Sequence, residues 1–200
     1  MKHSRVRKLN TNELSRFKPF NDLGGNRLEL LGYSLDLDSG EIRDQLKKDT
    51  VSCDKDAETL LVLLAHYAAA EPAEITGKLV KFRDLPGGYA YEEAFNKRVI
   101  QPLATVFENK PEGLVQAAKL LKGIALNYGD SSVQIPFLEV HVVCILWKTE
   151  EFPASATVLF EESASRVLPT EDLAVLAELI TIRLERSWNT VMQKTPNNTR

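Results

Sequence analysis

The run FLEVHVVCILW, residues 137–147, decides the fold class. After Glu139 it is β-branched and apolar at every second position on both faces, which predicts a central strand with a covering layer on each side. TEEFP supplies a turn, and ASATVLF, residues 154–160, reads as a second strand pairing with the first. Upstream, LGYSLDL, residues 31–37, alternates Leu31, Tyr33, Leu35 and Leu37 with small or polar residues, the period of a half-buried strand. Asp38-Ser39-Gly40 then turns the chain toward a short returning strand around Glu41 to Arg43.

Helical periods fill the intervals between these strands. LLVLLAHYAAA is apolar on nearly every face until Glu71-Pro72 stops it, which predicts a helix capped near Asp56 in the middle of the fold, with His66 buried inside it. Tyr91, Phe95, Val99, Leu103 and Phe107 recur at four-residue spacing, and Pro102 is expected to kink their helix against the carbonyl of Arg98. Leu114, Ala117, Ala118, Leu121 and Ile124 form the stripe of a further helix, expected to pair antiparallel with the preceding one. Pro169-Thr170-Glu171-Asp172 opens a last helix with Leu173, Leu176, Ile180, Leu184 and Trp188 on one face. Strands at two separate places with helices between them argue α+β: a single domain over residues 21–194, a small, mostly antiparallel sheet packed with about four to five helices. Residues 1–20 are expected as a flexible basic arm and 195–200 as a disordered tail.

Composition excludes several function classes. With 44% hydrophobic and 26% charged residues in 200, the chain supports one good core. A net charge of -3 with both signs interspersed gives no reason to expect nucleic acid. No apolar run reaches the length of a membrane span and no signal-peptide h-region follows MKHSRVRK, so the expected location is cytoplasmic, away from membranes. Two cysteines, Cys53 and Cys144, cannot make a four-thiolate site, so no iron-sulfur cluster is expected within this chain. ITGKL lacks the first glycine and the hydroxyl of a phosphate loop, and neither glycine pair continues as a dinucleotide fingerprint.

The candidate site is FRDLPGGYAY, residues 82–91. Pro86-Gly87-Gly88 makes a tight turn that brings Arg83 beside Tyr89 and Tyr91: a guanidinium and two aromatic faces suited to a small, anionic, partly flat ligand. An ordinary helix-stapling loop uses the same residues, with Arg83 paired to Asp84 or Glu92. His66 is a candidate ligand for a metal or the axial position of a tetrapyrrole, against the plainer reading of a hydrogen-bonded core histidine. Glu151, with Glu150, Glu161 and Glu162, is a candidate acid–base or metal-ligating carboxylate, against solvated turn carboxylates. Glu139 and His141, two apart on one strand, are expected to share a face as a carboxylate–imidazole pair.

Taken together, HY in the apolar helix, ITGKLVKFRDLPGGYAYEEAF, GDSSVQIPFLEVHVVCILWKTEEFPASATVLFEESA and LPTEDLAVL resemble the domain of unknown function 3786 family, in order and spacing from about His66 to Leu176. The resemblance implies cytoplasmic proteins of anaerobic bacteria and archaea, some following a cysteine-rich segment of iron-sulfur type. Two positions depart from its pattern: Thr149 stands where an acid is usual, and Glu161 where an aspartate is. It supplies no established activity. It implies a cofactor-linked setting, corrinoid or other tetrapyrrole or iron-sulfur, with any cluster on a protein partner. Three functions follow as expectations: a ligand-binding or accessory protein, an enzyme with Arg83 as anion anchor and Glu151 or His66 in acid–base work, or a structural subunit of a complex.

Overall fold

Leu138 adopts φ 56° and breaks the opening run in two. Phe137 ends one strand, Val140 begins the next, and the two face each other across a turn of Leu138 and Glu139. Neither turn residue is a glycine, and Leu138 stays buried at the sheet end, so the apolar pattern runs through the turn unbroken.

The computed structural model describes residues 9–20, 26–47, 55–148, 151 and 153–194. In chain order these form α1 (Thr11–Arg16), β1 (Arg27–Leu30), β2 (Tyr33–Asp36), β3 (Ile42–Asp44), α2 (Lys55–Ala69), β4 (Leu79–Lys81) and α3 (Gly88–Phe95). There follow α4 (Gln101–Phe107), α5 (Gly113–Lys119), β5 (Ile124–Leu126), β6 (Ser131–Phe137), β7 (Val140–Trp147), β8 (Ser155–Glu161), α6 (Ala164–Val167) and α7 (Thr170–Lys194). The result is a single mixed α+β domain with two antiparallel sheets.

The larger sheet has the order β4-β8-β7-β6-β5, with β7 at its centre and paired to β8 as the sequence predicts. Val133, Ile135, Val142, Cys144, Val158 and Phe160 share one face and enter the continuous core beneath the helices. The opposite face carries Val143 and Ile145, which are buried yet stand outside that core. The side chains at the middle of β7 are thus buried on both faces of the sheet, as its two-sided apolar pattern predicts.

The smaller sheet is the meander β1-β2-β3. Leu31 and Gly32, with φ 50° and 73°, are its first turn, so the stretch 31–37 is a turn plus β2 and not one strand. Arg183 of α7 reaches into this turn. Its side chain is fully buried and donates from Nε to the Leu31 carbonyl at 2.9 Å and from Nη2 to that of Gly32 at 3.1 Å. It also pairs with both Asp44 oxygens at 2.6 and 2.8 Å, and its guanidinium stacks 4.0 Å from the Tyr33 ring centroid.

Helix boundaries follow local chemistry. Asn10 caps α1 in a reciprocal box with Glu13, and Leu14 and Phe17 bury against the fold, Phe17 lying 6.3 Å from the Tyr67 ring. Residues 9–20 are thus packed structure in place of the expected flexible arm; Met1 to Lys8 and the tail from Thr195 lie outside the described residues. Lys122 at φ 59° and the Gly123 N–H donating to the Ala118 carbonyl at 2.8 Å close α5, so Ile124 belongs to β5 and not to the helix. α5 also packs on α7, with Gly113 against the Trp188 ring, where pairing with α4 was expected. Pro102 stands at the start of α4, just after an irregular turn. A π-turn over Asn96–Ile100 joins α3 to α4, and the widened turn accommodates a proline that has no N–H to give.

A loop and π-turn between two grooves

After the short edge strand β4, Phe82–Asp84 wind one 3-10 turn and Leu85 N–H closes on the Phe82 carbonyl at 3.1 Å. The two glycines that follow serve different needs. Gly87 takes φ 76° to reverse the chain, whereas Gly88 has room for no side chain, since a Cβ there would lie 2.0 Å from the Phe82 carbonyl oxygen. The Thr170 hydroxyl at the head of α7 donates to the Pro86 carbonyl at 2.7 Å and fixes the turn against the long helix. This tight path drives Phe82 inward, where it stacks on Phe95 with centroids 4.1 Å apart and planes 2° from parallel. Both rings lean on Phe160 of β8.

That stacked pair is the common wall of two grooves. On one side, a groove of about 250 Å³ runs between the π-turn and α7, with Tyr91, Ala94, Val99, Ala174 and Val175 as apolar walls. Arg98 and Glu178, 3.9 Å apart, and Glu171 are its charged lining. On the other side, a pocket of about 160 Å³ opens between Lys81, Arg83, Glu92, Asn96 and residues 156–158 of β8. Two cations against one carboxylate leave that pocket net positive. Arg83 is held there by Glu92, Nη1 to Oε1 at 3.3 Å, and by the Tyr89 ring, 5.3 Å from the guanidinium carbon. Tyr89 and Tyr91 are both exposed.

The structure brings Arg83 and Tyr89 together and places Tyr91 in the adjacent groove, but it does not gather the other candidates around them. His66 is exposed on α2, not buried: its imidazole Nδ1 lies 2.7 Å from Asp172 Oδ2, with half of the side chain open to solvent. The reason is that, beyond Lys55 at its start, the exposed residues of α2 are Val62, His66 and Ala69, so two apolar neighbours disguise an outward face. Glu151 is exposed in the β7–β8 connection and lines none of the described grooves. Glu139 sits in the turn and not on the strand, where its carboxylate meets the Tyr67 hydroxyl, so it makes no pair with His141. Burial and that carboxylate push the Tyr67 hydroxyl well above its ordinary pKa.

The two glutamates at the end of β8 and just after it are both held by local partners. Glu161 is buried, and one oxygen accepts from Thr76 N–H at 2.7 Å, the Thr76 hydroxyl at 2.6 Å and Gly77 N–H at 3.0 Å. The other accepts from the N–H of Ser163 at 2.8 Å and from its hydroxyl. Burial alone would raise its pKa, but these hydrogen bonds from Ser163 and Thr76 outweigh it and hold the carboxyl below its usual range. Glu162 pairs with Lys78 at 2.6 Å. Among the described residues no three His, Cys, Asp or Glu side chains gather closely enough to hold a metal ion. Cys144 is buried and its thiol is pushed up to about 12 by that burial, which makes it inert packing. Cys53 and Glu150 lie outside the described residues.

Sequence reading missed Phe95, Asn96 and Arg98 as parts of the site. The signal was Pro102 four residues after Arg98, which marks a disturbed turn whose side chains face away from regular α-helical positions.

The family model described as Domain of unknown function (DUF3786) matches residues 20–183. The chain belongs to this family. The match begins before the strands of the meander and ends at Arg183, so it takes in both sheets, the loop of residues 82–91 and the part of α7 that lines the groove. No curated protein matches the chain, and no solved structure does. Among the described residues, no helix is long and apolar enough to cross a membrane.

Proposed function

We propose that this chain is a binding protein for a small anionic ligand with a flat apolar body, acting in the cytoplasm as an accessory to a partner that carries the cofactor. One observation carries the reading: the Phe82–Phe95 pair stands between an apolar groove and a pocket lined by Lys81, Arg83 and Asn96. The anionic group seats in the cationic pocket, where Arg83 is already oriented by Glu92 and Tyr89 and loses little freedom on binding. The flat body lies against Tyr91 and the apolar groove.

A whole corrinoid or other tetrapyrrole is larger than these grooves enclose. The larger holds about 250 Å³, below the roughly 300–1,000 Å³ that enclose a drug-sized molecule. His66, the one candidate axial ligand, lines neither groove and is tied to Asp172 instead. The proposal therefore concerns a smaller compound, and any tetrapyrrole belongs to the partner.

Two fluorescent probes of like shape test the reading: 8-anilinonaphthalene-1-sulfonate and its uncharged analogue N-phenyl-1-naphthylamine. The sulfonate should bind saturably at one site, and Arg83→Ala should weaken it about tenfold, the loss of one charge-assisted hydrogen bond, while leaving the uncharged probe unchanged. Ala94→Trp should displace both by filling the groove. Equal affinity of wild type and Arg83→Ala for the sulfonate would end the anion-anchor assignment.

A further inference from the structure

A third cavity, of about 190 Å³, opens where the turn after α1 meets the end of α2, and it shares no residue with the two grooves beside Phe82 and Phe95. Phe20 and Tyr67 are its aromatic walls, with ring centroids 6.1 Å apart and planes 81° from parallel. Tyr67 is only 5% exposed. Its hydroxyl donates to the carboxylate of Glu139, which enters the cavity from the turn between β6 and β7.

The charged lining is Arg16, Glu71 and Glu139. Arg16 is already engaged, because its Nη2 donates to the Ala70 carbonyl at 2.9 Å, just past the C-terminal end of α2. That end of a helix carries the negative half of the backbone dipole and favours cations. No ion pair joins Glu71 or Glu139 to a cation among the described residues, and NDLGG, which follows Phe20 directly, has no cation to give. Two carboxylates and a helix C-terminus thus meet one guanidinium, which leaves the cavity short of a positive charge. A carboxylate has about four lone-pair sites, so the Tyr67 hydroxyl leaves Glu139 free to accept from further donors.

We propose that this cavity binds a primary alkylammonium ion, its nitrogen donating to Glu139 and Glu71 and its chain lying against Phe20 and Tyr67. The N–H donors of such a group suit carboxylates that have no cation of their own, and the faces of aromatic walls attract its charge. A volume of about 190 Å³ holds roughly six groups of water size at about 30 Å³ each, which matches the heavy atoms of pentylammonium. An anion would meet like charge here, and a neutral molecule of the same length leaves the missing charge unsupplied.

Titration of the full chain with pentylammonium chloride, followed by two-dimensional amide NMR at constant ionic strength, tests this. Shifts should saturate in the millimolar range and centre on Ala70, Glu71 and Glu139, and 1-pentanol, of the same length without the charge, should bind about tenfold more weakly. Glu139→Gln retains an oxygen to accept from Tyr67, so it should fold, weaken the ion about tenfold and leave 1-pentanol unchanged. Glu71→Gln alters an exposed residue with no ion pair to lose, and it too should weaken the ion. Equal binding of ion and alcohol overturns the inference, as do shifts that scatter over surface carboxylates without saturating, or an affinity for the ion that Glu139→Gln leaves unchanged. Should Glu139→Gln fail to fold, Glu71→Gln decides in its place by the same criterion. The sulfonate probe reads the Arg83 pocket separately, so either site can fail without the other.

Discussion

Arg183 shows how far one side chain can specify an arrangement. A fully buried guanidinium is tolerated only because Asp44, two carbonyls and the face of Tyr33 together replace its water. Arg183→Met would leave the Asp44 carboxylate buried and uncompensated, so unfolding in urea should show a loss of about 3–5 kcal/mol. Arg183→Met/Asp44→Leu should recover a large part of it, because a packed apolar pair carries no such penalty. Burial pushes the Asp44 carboxyl toward neutrality, but its hydrogen bonds and the charge of Arg183 outweigh that and set its pKa below the usual carboxylate value. A group depressed in the folded state adds stability above its unfolded pKa, about 3.9, and that stability disappears as pH falls through the folded value. Unfolding free energy should accordingly decline in acid below about pH 4, and less steeply in Asp44→Asn. His66 illustrates the opposite case: an exposed imidazole beside a carboxylate contributes little to stability.

The loop of residues 82–91 and the helix it feeds act as one unit through Gly88. Any side chain there must push the Phe82 backbone away, which separates the rings of Phe82 and Phe95 and merges the two grooves. Gly88→Ala should therefore cost about 1–3 kcal/mol in denaturant unfolding and abolish discrimination between the charged and uncharged probes. Much of this element was legible in advance: glycines placed the turn, four-residue spacing placed the helix, and Arg83, Tyr89 and Tyr91 were named from residue type alone. The central pairing of β7 with β8 and the long α7 were equally plain, because β-branched runs and an acid-led amphipathic stripe leave few alternatives. What escaped were places where the chain bends without the usual residues. Leu31 and Leu138 take left-handed conformations that glycine or asparagine normally supplies, and both stay buried, so hydrophobic pattern ran straight through two turns. His66 was misplaced for a related reason, since Val62 and Ala69 on its stripe carry no polar mark of an outward face.

Across the whole molecule, the meander β1-β2-β3 is held by a residue 151 and 152 positions further along the chain, from Gly32 and Leu31 to Arg183. Contacts this distant in sequence are slow to form, because a long loop must close before they return any energy. Synthesis adds a second delay, as the meander leaves the ribosome well before the helix that completes it. A chain truncated before Arg183 should therefore show protease-sensitive β1–β3, whereas the full chain protects them; equal protection of the two would mean that the small sheet stands by itself. During translation, then, the first strands of this protein form a waiting half-structure with its apolar underside open, and the last helix is the fastener that ends the exposure.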